Sequence, residues 1–187
     1  MSEPDYDVLI IGGGLVGAGL ACALDGLGLR SALVEAAPLT VSQHPSYDDR
    51  TLALSQGTRR ILQTLGLWET VAATATPMDR IHISERGSPG CAWLDRREEG
   101  VEALGYVVEA RALGAALLAR LPTLPGVDVL CPARLETVTV TPAAVRAVIR
   151  FSDDRLEELQ AGVLVAADGA NSPVREQMGV AALRWDY

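Results

Sequence analysis

Tyr6-Asp7-Val8-Leu9-Ile10-Ile11-Gly12-Gly13-Gly14-Leu15-Val16-Gly17 decides the fold. A short β-branched, apolar run, the composition of a buried strand, ends directly in a glycine turn. A small-residue helix follows (Ala18, Gly19, Ala21, Ala23), then Gly28, then a second apolar run, Ser31-Ala32-Leu33-Val34, closed by Glu35. Strand, glycine turn, helix, strand and acid, in that order, is the register of a dinucleotide-binding βαβ unit. Gly12 allows the tight turn, Gly14 brings a pyrophosphate against bare backbone, and Gly17 lets the helix lie close to the strand. The helix start at Leu15 and Val16 offers free N–H groups and a partial positive charge to phosphates. Glu35 is placed to accept hydrogen bonds from an adenosine ribose. The glycines alone are a weak signal, and the flanking strands and acid make it specific.

Composition bounds the remainder. A chain of 187 residues makes one large domain or one and a half, and 49% hydrophobic residues suffice for a proper core. Leu, Val and Ala do most of the filling, with only one Phe. A net charge of -8 argues against nucleic acid and against an electrostatic grip on anionic lipid. No run approaches the roughly 20 apolar residues of a membrane span. Met1-Ser2-Glu3-Pro4-Asp5 is acidic and enters the first strand at once, which reads as no signal peptide and a cytoplasmic address. Cys22, Cys91 and Cys131 form no CxxC pair and read as small buried hydrophobes. His44 and His82 lack metal-ligand spacing, so no metal site is assigned.

After Glu35 the periodicity breaks into a loop over 36–50, with Pro38 and Pro45, that runs on through Asp48-Asp49-Arg50-Thr51-Leu52-Ala53-Leu54-Ser55. A helix is expected from Gln56 to Leu65, with Ile61, Leu62 and Leu65 on one face and Gly66 as its stop, then a short helix over Trp68–Ala73. Arg80–Ser84 alternates like a strand and pairs with Gly90–Leu94 across the Gly87-Ser88-Pro89 turn. The charged stretch Arg96-Arg97-Glu98-Glu99 reads as a solvated turn. Tyr106-Val107-Val108 precedes an amphipathic helix over Ala110–Leu121 with the stripe Leu113, Ala116, Leu117 and Leu121. Val127–Leu130 is a buried-type strand. A β-meander over Arg134–Val140, Val145–Phe151 and Glu158–Val165 turns at Thr141-Pro142 and Asp153-Asp154.

A second motif follows the last strand. Gly162-Val163-Leu164-Val165-Ala166-Ala167 runs into Asp168-Gly169-Ala170-Asn171-Ser172-Pro173-Val174-Arg175. Asn171 or Ser172 can cap a helix, and Pro173 suits its first turn. Asp168 falls at the carboxyl end of a parallel-type strand, the edge where α/β sheets bind ligands. An isolated Asp-Gly is an ordinary turn. Its position downstream of a dinucleotide fingerprint gives it meaning.

Together, Gly12-x-Gly14-x-x-Gly17-x-x-x-Ala21 and Asp168-Gly169-x-x-Ser172-x-x-Arg175 resemble the FAD-dependent aromatic hydroxylases of the p-hydroxybenzoate hydroxylase fold. Within them the chain is most similar to the ubiquinone-biosynthesis hydroxylases. His44-Pro45-Ser46-Tyr47-Asp48-Asp49-Arg50-Thr51-Leu52-Ala53-Leu54, Ile83-Ser84-Glu85-Arg86-Gly87 and Leu104-Gly105-Tyr106-Val107-Val108-Glu109 resemble the 2-octaprenyl-6-methoxyphenol hydroxylase branch. The resemblance implies an α/β, Rossmann-like FAD-binding domain with a β-meander, and substrate-domain strands near 79–108. It implies FAD as cofactor and NAD(P)H as co-substrate, with O2 and a polyprenylated phenol as reactants. Gly12, Gly14, Leu15, Val16 and Gly17 would take the pyrophosphate and Glu35 the ribose. Arg50 would lie near the flavin, its alternative role being an ion pair with Asp48 or Asp49. Arg111 matches a cofactor contact, its alternative a solvated helix residue, and Asp168 with Gly169 would bind the ribityl or pyrophosphate portion.

The chemistry implied belongs to the flavin, which delivers one oxygen atom of O2 to an electron-rich ring inside a dry pocket. No side chain is assigned as a catalytic acid or base. A third family motif, Gly-Asp with an alanine-histidine and a proline- and glycine-rich stretch, is missing. Val180–Tyr187 reads as a strand in progress. The expectation is therefore the N-terminal half of a hydroxylase, inactive alone and prone to self-association through bare apolar surface. Association with a membrane surface or a biosynthetic complex would run through the missing parts. The competing readings are a non-catalytic FAD- or nucleotide-binding module and another flavin oxidoreductase. The lack of CxxC argues against a disulfide reductase.

Overall fold

The computed structural model describes residues 3–40, 42, 44–87 and 89–183. In chain order the elements are β1 (Tyr6–Ile11), α1 (Leu15–Leu24), β2 (Ser31–Val34), β3 (Thr51–Ser55), α2 (Gln56–Thr64), α3 (Trp68–Ala72), β4 (Thr76–Pro77), β5 (Arg80–Ser84) and β6 (Cys91–Asp95). They continue as β7 (Gly105–Glu109), α4 (Ala110–Arg120), β8 (Val127–Leu130), β9 (Ala133–Val140), β10 (Val145–Phe151), β11 (Leu156–Ala166) and α5 (Pro173–Gln177). They form two units: residues 1–47 with 117–187, and residues 48–116.

The first unit is built on one mixed sheet of order β8-β2-β1-β11-β10-β9. β1 pairs in parallel with both β2 and β11, so its apolar run is flanked by strands on both sides, and Leu9 and Ile10 are fully buried. β10 lies antiparallel between β11 and β9, which makes the meander. Period-two burial picks out Val145, Ala147 and Ile149 on β10, and Ala147 and Ile149 join Leu9, Val34 and Leu159 in one core.

In the second unit, β7 pairs antiparallel with β3 and β4. Ser55 caps α2, its side chain accepting from Thr58 N, and Gly66 ends the segment with φ of +70°. Trp68 meets Tyr106 edge to face at 4.8 Å, and the Arg59 guanidinium lies 5.5 Å over the Trp68 ring. β5 and β6 form a separate two-stranded ribbon, with His82 stacked on Trp93 at 4.4 Å.

The structure departs from the sequence-based expectation in several places. Thr51–Ser55, read as the end of a loop, is a strand pairing with β7. Ile61 stands 60% exposed, so the buried face of α2 rests on Leu62. Val127–Leu130 is the sheet edge, with only Val127 buried. Cys91 is exposed rather than a buried hydrophobe, while Cys22 is buried. Residues 180–183 carry no strand. Residues 184–187, and Ser88 of the expected turn, lie outside the described residues.

Candidate functional site

The end of β1 is held from both sides. Gly12 N donates to Val34 O at 2.8 Å, and Ala167 N donates to Ile11 O at 2.7 Å. Gly12 then turns at φ of +104°, and a Cβ there would stand 2.4 Å from the Ala167 carbonyl oxygen. A Cβ on Gly17 would stand 1.8 Å from Gly12 O. Both positions therefore exclude any side chain, Gly12 against the backbone that follows β11 and Gly17 against the turn itself. Helix α1 starts at Gly14 without a side-chain cap and without an acid in its first turn. Its leading N–H groups have no partner within the helix, and Val16 is 74% exposed beside them.

Glu35 follows β2 and is 9% exposed. Gly13 N donates to its Oε2 at 2.5 Å and Ala37 N to its Oε1 at 2.6 Å, so backbone on two sides fixes the carboxylate. The loop after it folds back over the turn. The Tyr47 hydroxyl donates to Gly13 O at 2.8 Å, and its ring stacks on His44 with centroids 4.3 Å apart. Burial, with the negative Glu35 nearby and then Cys22, pushes the Tyr47 phenol up to about 12. A Cβ on Gly14 would meet Ser46 Oγ at 3.0 Å.

At the end of β11, Gly169 takes φ of +83° and Asp168 turns its carboxylate onto the following helix, Oδ2 accepting from Val174 N at 3.1 Å. Ser172 caps α5, its Oγ accepting from Arg175 N at 3.0 Å, and the Arg175 guanidinium donates to Ala170 O at 2.7 Å. Of the two capping candidates the structure selects Ser172.

The carboxyl ends of β1, β2 and β11 thus bring together Gly12, Gly14, Leu15, Val16, Gly17, Glu35, Asp168 and Gly169. This edge presents uncapped helix N–H groups for an anion, backbone without side chains for close approach, and a fixed carboxylate for a diol. Arg50 and Arg111 belong to the second unit. There Arg50 pairs with Asp48 at 2.6 Å and Arg111 with Asp49 at 2.5 Å, both at the surface. Arg111 N also donates to Asp48 O at 2.9 Å. The Arg50 contact holds the Asp48 carboxyl below its usual range. Among the described residues no group of three or more His, Cys, Asp or Glu could hold a metal ion.

Sequence reasoning assigned no role to His44, Ser46 or Tyr47. Their signal was a histidine and an aromatic in a proline-bearing polar loop directly after the acid.

The FAD binding domain family matches residues 5–184. The chain belongs to that family. It is 36% identical to the ubiquinone hydroxylase UbiL of Rhodospirillum rubrum, over 93% of this chain and 39% of that protein. It is 30% identical to the 3-demethoxyubiquinol 3-hydroxylase of Escherichia coli, over 100% of this chain and 47% of that protein. The chain therefore spans less than half the length of these relatives. In three dimensions it superposes on the anhydrotetracycline hydroxylase OxyS of Streptomyces rimosus with a TM-score of 0.79 at 22% identity, covering 97% of this chain and 35% of that one. That likeness establishes the fold, the α/β architecture with a β-meander expected from the two motifs.

Proposed function

We propose that this chain is the cofactor-holding part of an FAD-dependent monooxygenase that hydroxylates a polyprenylated phenol in ubiquinone biosynthesis, using NAD(P)H and O2. The observation that carries the reading is the convergence of the glycine turn, Glu35 and Asp168 on one sheet edge, in a chain of the FAD binding domain family. The names of the ubiquinone hydroxylases it resembles support the substrate class.

The residues fit FAD. Backbone from Gly12 to Gly17 takes the pyrophosphate at the start of α1, which no side chain caps, with Ser46 beside Gly14. Glu35 accepts from the adenosine ribose, and its two backbone donors orient it without exhausting its acceptor sites. Asp168 and Gly169 face the ribityl or pyrophosphate portion. Arg50 and Arg111 are proposed as further cofactor contacts on the strength of the family resemblance alone. Bound FAD supplies the redox chemistry, reduction by a nicotinamide and activation of O2. This chain's residues bind and orient it.

Strands β5 and β6, with β7, are proposed as the substrate-domain portion, which accords with the exposed Ile83 and Trp93 on the ribbon. No helix among the described residues is long and apolar enough to cross a membrane. A polyprenylated phenol dissolves in lipid, so the protein is proposed to meet it from the cytoplasm at the inner-membrane surface.

The test is the visible spectrum of the purified chain titrated with FAD. Flavin bands that travel with the protein through gel filtration, and are lost in Gly14→Val and Asp168→Ala, are the expected result. A colourless protein that ignores FAD overturns the cofactor assignment for this chain. Hydroxylation of a phenol by a longer protein containing this chain, and its absence from the chain alone, separates the enzymatic reading from a purely FAD-binding one.

A further inference from the structure

His44 is a buried polar side chain that the site as described leaves unused. Its side chain is 2% exposed. Its Nδ1 accepts from Ser46 N at 3.2 Å, so in the neutral ring the hydrogen sits on Nε2. That Nε2 has no hydrogen-bond partner, yet it stands 3.4 Å from Glu35 Oε2. A buried donor left unmade is costly, and it lies next to the carboxylate proposed to hold the ribose.

The ring is also fixed in place. It stacks on Tyr47, whose hydroxyl is tied to Gly13 O, and Gly13 N in turn donates to Glu35 Oε2. His44, Tyr47, Gly13 and Glu35 therefore close a ring of contacts behind the glycine turn. A diol donating to Glu35 takes acceptor sites that Gly13 N and Ala37 N leave open. A second donor 3.4 Å from Oε2, able to close onto it, keeps the carboxylate from swinging when the diol binds.

We propose that His44 is a positioning residue for Glu35: its Nε2 hydrogen closes onto Oε2 when an adenosine ribose engages the carboxylate, making the bond that is unmade in the free chain. Tyr47 holds the imidazole plane for that purpose. The inference rests on the FAD reading above and adds a residue to it.

The test compares FAD and FMN dissociation constants, by flavin fluorescence, for the chain and its variants. His44→Ala is expected to weaken FAD binding about tenfold, the worth of one hydrogen bond to a charged acceptor. His44→Gln, whose amide nitrogen can replace Nε2, is expected to recover most of that loss. In a Glu35→Ala background His44→Ala should cost little more, because the group it positions is gone. FMN has no adenosine, so its weaker binding should be unchanged by any of these substitutions. Additive losses for His44 and Glu35, no rescue by Gln, or equal losses for FAD and FMN would each overturn the proposal. An unmodified chain that binds no FAD would overturn the parent reading instead. A far-ultraviolet spectrum and urea midpoint for each variant separate lost folding from lost binding, and circular dichroism of an unfolded His44→Ala leaves His44→Gln and the FMN comparison to decide.

Discussion

The glycine turn and the Asp48–Arg111 cluster are both proposed cofactor contacts, yet they are built on opposite principles. At the turn, position comes from backbone: Gly12 and Gly17 have no room for one added carbon, and Glu35 is clasped by two main-chain N–H groups. In the second unit, position comes from long side chains in water, where Arg50 and Arg111 each pair with a neighbouring aspartate at the surface. The first arrangement is stiff and intolerant. The second can exchange its partners at little cost, since exposed ion pairs contribute little and are screened by salt. A rigid cradle for the invariant part of a ligand and adjustable charges elsewhere is a sensible division of labour.

That contrast can be broken by experiment. The largest effect is expected from Gly17→Ala, whose Cβ would overlap Gly12 O. It should lower unfolding free energy by roughly 3 kcal/mol in urea melts, the upper range for overpacking. A variant as stable as the parent would show that the turn can yield. Next comes Glu35→Ala, which orphans Gly13 N and Ala37 N and should cost about 2 kcal/mol together with FAD affinity. Tyr47→Phe should cost about 1 kcal/mol, for one buried hydrogen bond.

Tyr47 also sharpens the comparison through pH. Its phenol titrates near 12 when folded against an ordinary value of 10, so the folded state holds its proton longer. The stabilisation is fully present below pH 10 and is lost as pH rises through about 12. Tyr6, raised to about 12 by burial and by its bond to Asp128, contributes in the same direction. Urea melts across that range should show a shallower decline in Tyr47→Phe. Smallest of all, Arg50→Ala and Arg111→Ala should leave the urea midpoint where it was and change only flavin affinity. A clear loss of stability in either would erase the distinction between the two regions.

Much of this was legible in the residues. The β1–turn–α1–β2 order is written in an apolar run, three glycines and an acid, because the positive φ at Gly12 and the contact of Gly17 with Gly12 O are local to that stretch. The helix α4 stripe and the meander followed from periods of 3.6 and 2. What stayed hidden depended on distant partners. Thr51–Ser55 carries too little pattern to announce a strand, and becomes one only because β7 lies beside it. The reach of Tyr47 back to Gly13, and of His44 to Glu35, arises from a loop whose path no periodicity describes. Exposure at Ile61 and Cys91 likewise depends on what packs nearby, not on residue type.

The parallel pairing of β1 with β11 sets the order of events as the chain folds. β1 cannot fill its place until residues 161–166 arrive, and Asp5 takes the N–H of Gln160 across 155 positions. Closing so large a loop is entropically slow, and topologies dominated by such distant pairings fold slowly. A nascent chain leaving the ribosome would therefore carry β1 unpaired on that side until β11 has emerged. Chaperone engagement, or a marked fall in soluble yield when translation is slowed before β11, is where that exposure would register.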